Sequence, residues 1–305
     1  MVALPRWITL WLIGLAALGY AQPFRVTDAT GRSVEIRSTE RIVSLGGVNT
    51  EILFALGVGD RIVGRDGTSE YPKEVMSRPS VGLPGQYSAE AILALRPTLV
   101  VAREDTRPAQ VLDQVRGAGV PVVVVSIEPT VEGAKRRIRL LAQAVGRQET
   151  GEALVRSLER ELLALKSYQA QQAPKGKVRG LVVYLPAPQV AFICGEGSIF
   201  VAVMELAGVE NALKGVRGCQ PMNPEAVVAA RPDLLVTTKK TVETVGGLEG
   251  LLRLPGLAQT PAGQRRRVVV MEENYLGNIG PRMGRAALDL FRAAYLREGY
   301  VEIAQ

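Results

Sequence analysis

Histidine is absent from all 305 residues. Its absence removes at once the commonest general base, the usual partner of a serine nucleophile and the commonest metal ligand. Only two cysteines occur, Cys194 and Cys219, too few for a four-thiolate zinc site or an iron–sulfur cluster. No Gly-x-Ser-x-Gly elbow is present. Aromatic residues are scarce at 5%, and both tryptophans, Trp7 and Trp11, stand at the extreme N-terminus. The net charge of +7 is modest and is not gathered into an arm, so no nucleic-acid partner is expected. What remains, 47% hydrophobic and 22% charged residues, describes a globular chain long enough for two domains and excludes disorder or a small disulfide scaffold.

Arg6 precedes an apolar run from Trp7 to Leu18, with Gly19 and Ala21 at the −3 and −1 positions of a cleavage site. This is the pattern of an export leader over residues 1–21, with Gln22 as the mature start. The run falls short of the ~20 apolar residues of a membrane span, so cleavage is expected rather than a retained anchor. No cysteine lies near the cleavage site, which speaks against a lipid-modified N-terminus. The mature chain, at +6 after losing Arg6, is expected in the periplasm without direct membrane insertion. That compartment permits a disulfide, but whether Cys194 and Cys219 pair depends on a distance the sequence leaves open.

Short β-rich runs, Ile42–Leu45, Arg61–Gly64, Thr98–Ala102 and Pro121–Ser126, alternate with helical stretches at Val48–Leu56, Ala89–Leu95 and Pro108–Gly117. Such alternation predicts βαβ units and a mostly parallel sheet. The plan then returns: Ser88–Ala102 lines up with Asn223–Thr237, and Leu56–Gly64 with Ala207–Gly215. Two Rossmann-like α/β lobes follow, an N-terminal lobe over 22–147 and a C-terminal lobe over 173–305. Between them, 148–172 has no proline, and its apolar positions Leu154, Leu158, Leu162 and Leu165 predict one long amphipathic connecting helix. A single helix between lobes implies limited opening rather than a wide swing.

The repeats differ in one informative way. One pair of matches is offset by 151 residues (Gly64 to Gly215) and the next by 135 (Glu90 to Glu225), so the first lobe holds 16 residues more. They belong to Arg65–Tyr87, a Gly- and Pro-punctuated loop after a strand, where open α/β sheets place ligands. Within it Tyr71 stands before Pro72, which biases its backbone to an extended form. Glu90 and Glu225 occupy equivalent second helical positions behind Ser88 and Asn223, where acids complement the helix dipole. Lys135–Arg137 and Arg265–Arg267 read as solvated faces.

Val43–Gly57, Gly64–Pro72 and Ala89–Pro97 together resemble the helical-backbone, class III, substrate-binding proteins of ABC importers. Gly246–Gly263, Arg267–Met271 and Gly280-Pro281-Arg282 are similar to the haem-delivering branch, and the resemblance spans nearly all of 41–292. It implies a protein that captures haem between its lobes and passes it to an ABC permease dimer, performs no reaction, and works as a monomer. It also implies Tyr71 as the haem-iron ligand. Ferric iron prefers an anionic oxygen, and a phenolate serves without histidine where a nearby cation assists. Candidate pocket residues are Arg65, Lys73, Lys239 and Lys240, with Arg282 for a propionate and Tyr275 for stacking on the porphyrin. For Lys239 and Lys240 a solvated pair at a strand end is the plainer reading. Glu90 and Glu225, one per lobe, match the glutamates that meet the two permease subunits.

The same scaffold carrying a corrinoid or a ferric siderophore is the nearest alternative. Remoter ones are an envelope hydrolase using paired carboxylates, and a structural partner protein.

Overall fold

The computed structural model describes residues 24–172, 176–188 and 190–303. The expected leader, Gln22 and both tryptophans lie outside the described residues. An antiparallel hairpin, Phe24–Thr27 with Ser33–Ile36, opens the fold. Four parallel strands then form the first sheet, in the order Ile62–Arg65, Ile42–Ser44, Leu99–Arg103, Val122–Val125. Each lies within one residue of its expected range. Three strands are valine- and isoleucine-rich and buried on both faces, the signature of a sheet covered by helices.

The second sheet has seven strands. Its parallel part runs Arg179–Ala187, Leu234–Thr238, Val268–Met271, Tyr300–Ile303, with Glu210–Asn211 also parallel beside the first of these. One edge is antiparallel: Val190–Cys194 returns along Arg179–Ala187, and Cys219–Pro221 pairs with it in turn. On that edge Cys194 and Cys219 stand directly opposite and are joined as a disulfide, which answers the question of pairing.

The internal repeat reaches down to individual backbone angles. Ser88 and Asn223 cap their helices, each accepting from the backbone N–H three residues on. Arg96 and Arg231 then end those helices in the left-handed region, at φ 47° and 45°, a place where glycine is usual. A proline follows each, and the next strand enters the middle of its sheet.

Between the sheets a single 25-residue helix, Gln148–Gln172, packs on Val131–Ala144 of the first lobe and on Met283–Leu296 of the second. One hydrophobic core runs through all three and includes Ile138, Leu158 and Phe291. Within that contact region the expected solvated run Lys135–Arg137 is corrected by the structure. Arg137 is 4% exposed and donates to the carbonyls of Ser126 and, across the lobes, Ile279. Burial lowers its pKa to about 10, still high enough to keep the charge at neutral pH. Arg267 is likewise half-buried and donates to the Ala294 carbonyl rather than lying in water. Among the described residues no helix is long and apolar enough to cross a membrane.

Candidate functional site

Beyond the carboxyl ends of their strands, where open α/β sheets bind ligands, the two lobes meet: Tyr71 touches Arg282, and Glu70 acts on Tyr184 and Glu273. On the first lobe the insertion rises from strand Ile62–Arg65 and is fixed at its root by Asp66, a fully buried carboxylate. Asp66 accepts from the hydroxyls of Thr68 (2.9 Å), Ser69 (2.7 Å) and Tyr87 (2.8 Å). Burial and this carboxylate push the Tyr87 phenol well above its ordinary pKa, so it stays a donor. Ser69 continues the chain of bonds to Thr50 (2.7 Å), and Thr50 to Ser44 (2.9 Å). The sequence predicts a loop here. The segment instead holds a 3-10 turn, Lys73–Ser77, anchored by the buried Val75, and returns to pair with Arg65 through Pro79 and Val81.

Tyr71 leaves this anchored root two residues after Ser69, with a cis peptide bond to Pro72. Its ring lies beneath the guanidinium of Arg282, whose central carbon is 3.4 Å from the ring centroid, well inside the range of a cation–π contact. Arg282 comes from the other lobe, at the N-cap of helix Met283–Leu296. Its Nε and Nη2 donate to the two oxygens of Glu51, both at 2.8 Å. Glu51 sits in helix Gly47–Ala55, is 3% exposed, and also accepts from Asn278 Nδ2 at 2.9 Å. The start of this helix comes very close to the second lobe. A Cβ on Gly47 would stand 2.3 Å from Asn274 Oδ1 and 2.8 Å from the Thr68 carbonyl, so only glycine fits.

The second lobe adds a phenol–carboxylate pair. Tyr184, near the end of strand Arg179–Ala187, donates to Glu273 Oε1 at 3.1 Å and packs its ring, tilted by 40°, against Phe200. Burial raises the pKa of both groups, and Glu70, next to Tyr71, adds like charge to each while Lys240 offsets it at Glu273. The other Glu273 oxygen is buried without a hydrogen-bond partner among the described residues. Arg103, at the end of strand Leu99–Arg103, lays its stem over Gly46 and donates twice to Asp105. An interlobe cavity of about 290 Å³, bounded by Thr130 and Val131, by Ser198 and Glu205, and by Met283, lies apart from Tyr71.

The structure thus brings Tyr71 and Arg282 into contact and sets Lys240 near the facing carboxylate. Several other candidates are tied to groups of the protein itself. Lys239, just past the carboxyl end of strand Leu234–Thr238, pairs with Glu272 (3.4 Å) and Glu302 (3.8 Å). Tyr275, expected to stack on a ligand, is 4% exposed and donates to Asp289 at 2.8 Å, which makes it a core residue. Arg282, expected to meet a carboxylate of the ligand, has its Nε–Nη2 edge on Glu51 instead. Arg65 donates to the adjacent Asp66 carbonyl, and Lys73 is exposed on the 3-10 turn. Glu90 and Glu225 are exposed at their helix starts. Glu51, Asp66, Tyr184 and Glu273 were not marked from the sequence. For Glu51 a signal existed: it is the one acid in an otherwise apolar and small-polar helix, whose residues from Gly47 to Leu53 are all buried.

Residues 42–275 match the model of the periplasmic binding protein family. The fold superposes with a TM-score of 0.80 on the periplasmic heme-binding protein RhuT from Roseiflexus sp. RS-1 in apo form, at 39% identity over 85% of this chain and 98% of that one. An ABC transporter substrate-binding lipoprotein, YvrC of Bacillus subtilis, is 26% identical over 90% of this chain and 86% of its own length. The vitamin B12-binding protein of Vibrio parahaemolyticus is 29% identical over 68% of this chain and 74% of its own.

Proposed function

The chain belongs to the periplasmic binding protein family, and from that premise we propose that it captures haem between its lobes through Tyr71 and hands it to an ABC permease. It is a substrate-binding transport protein that works outside the cytoplasm, and not an enzyme. The reading adds a leader over 1–21, lobes over 22–147 and 173–305 joined by 148–172, a periplasmic location and a monomer.

One observation carries the choice of ligand: a tyrosine on a tightly anchored loop at the cleft, its ring covered by a guanidinium, in a chain without histidine. A phenolate oxygen suits ferric iron. The identity of the Roseiflexus neighbour supports the same ligand. Arg65, Lys73 and Lys240 stay in the proposal as pocket cations. A corrinoid is the second reading, favoured by the Vibrio relative. It would not require ligation by Tyr71.

Titration of the mature protein with hemin, followed by its visible spectrum and set against cyanocobalamin, tests the proposal. A saturable ferric–phenolate spectrum with hemin, and no uptake of the corrinoid, is the expected result. Binding of cyanocobalamin alone would transfer the assignment to the second reading.

Glu90 and Glu225, exposed and equivalent in the two lobes, are proposed to dock the permease dimer. Reversing either charge to arginine is expected to leave hemin affinity unchanged and to cut transport into proteoliposomes by roughly ten-fold or more. Undiminished transport by both variants would remove the docking role.

A further inference from the structure

We infer that Glu51 is a positioning residue for the ligand site: it fixes the plane of the Arg282 guanidinium and so decides that a cation lies face-on over Tyr71. The inference rests on the haem reading for its readout but on different atoms for its content.

A guanidinium is flat, with donors along its edges and apolar faces above and below. Glu51 takes the edge formed by Nε and Nη2 with both its oxygens, which sets the direction of the plane. Once the edge is fixed, the faces are fixed too: Tyr71 lies 3.4 Å from the central carbon and Tyr275 lies 5.1 Å from it. A guanidinium on a flexible stem with no such partner samples many orientations. Glu51 itself has little freedom, being 3% exposed and held by a further bond from Asn278. It stands on a helix whose neighbours Val48, Ile52 and Leu53 belong to the core, where a carboxylate is costly unless paired. Glu51 never needs to touch the ligand, because it acts through Arg282. Since Glu51 and Tyr71 come from the first lobe and Arg282 from the second, the ligating group and its cation are matched only when the lobes are in this arrangement.

The test is a double-mutant cycle read by hemin titration and by the phenolate-to-iron band in the visible spectrum. Glu51→Ala is expected to weaken hemin binding roughly ten-fold and to shift or diminish that band, the range seen when a support behind a metal ligand is removed. Arg282→Ala is expected to do the same, and the double variant to resemble Arg282→Ala alone. Glu51→Gln, which keeps the size and one acceptor oxygen, is expected to fall between wild type and Glu51→Ala, and it carries the test should the alanine variant not fold.

An unchanged band and affinity in Glu51→Gln and Glu51→Ala overturns the inference. So does a Glu51 effect that persists undiminished in the Arg282→Ala background, since a residue that only ties the lobes together would act without Arg282. If instead the wild-type protein shows no phenolate band with hemin, the haem reading fails first, and the two failures are distinguishable.

Discussion

Tyr71→Phe is expected to abolish the ferric–phenolate spectrum and weaken hemin binding by roughly 100-fold or more. Loss of groups that merely support a metal ligand already costs about 10–100-fold. Phenylalanine keeps the ring, its place beneath Arg282 and the backbone before Pro72, so the variant removes one oxygen and little else. What remains for hemin is burial of the macrocycle and whatever cations meet its propionates. Titration at fixed ionic strength separates those contributions, because the propionate contacts weaken with salt whereas the iron–oxygen bond does not. Retention of the wild-type spectrum in Tyr71→Phe would show that another residue ligates the iron.

A second large effect is expected from the fully buried Asp66. Asp66→Ala strips the acceptor from Thr68, Ser69 and Tyr87 at once, and two of those donors are buried. A buried polar group left unpaired costs about 1–3 kcal/mol. Three partners sharing one acceptor place the loss at roughly 3–5 kcal/mol, discounted from a full sum because Thr68 can reach water. Asp66→Asn keeps one acceptor oxygen and is expected to lose about half as much. Chemical unfolding gives the number directly. A loss below about 1 kcal/mol would mean that the insertion does not depend on this hub. Because Asp66 also holds the root of the Tyr71 segment, hemin affinity is expected to fall in both variants even where the fold survives.

Strands of the first lobe and the repeated helix starts were legible because their cues are local: valine runs for strands buried on both faces, and caps at Ser88 and, in the second lobe, Asn223. The duplication was legible because Ser88–Ala102 and Asn223–Thr237 share a glutamate, an arginine and a proline at equivalent places, and the structure gives Arg96 and Arg231 the same backbone role. Tyr71 was picked out by its place in the longer copy and by resemblance, since no local rule tells a ligating tyrosine from a packing one.

What the sequence hid is whatever depends on distance. Tyr275 and Tyr71 both stand in polar, glycine-containing surroundings, yet one packs against Asp289 and the other lies at the cleft. Arg137 sits in a basic triplet that looks solvated, and only the approach of the Ile279 carbonyl from 142 positions away reveals its burial. Glu51 and Arg282 lie 231 positions apart, and neither marks the other in the chain. The Cys194–Cys219 bond joins two strands whose antiparallel register appears only once the sheet is built.

The hydrophobic core that passes without interruption through Val131–Ala144, Gln148–Gln172 and Met283–Leu296 has a consequence for how the molecule comes apart. Neither half can melt without exposing apolar side chains that the other half was covering, so heat should register a single cooperative transition instead of two. By the same token, a fragment cut at either end of the spine would lose the surface that keeps it from aggregating.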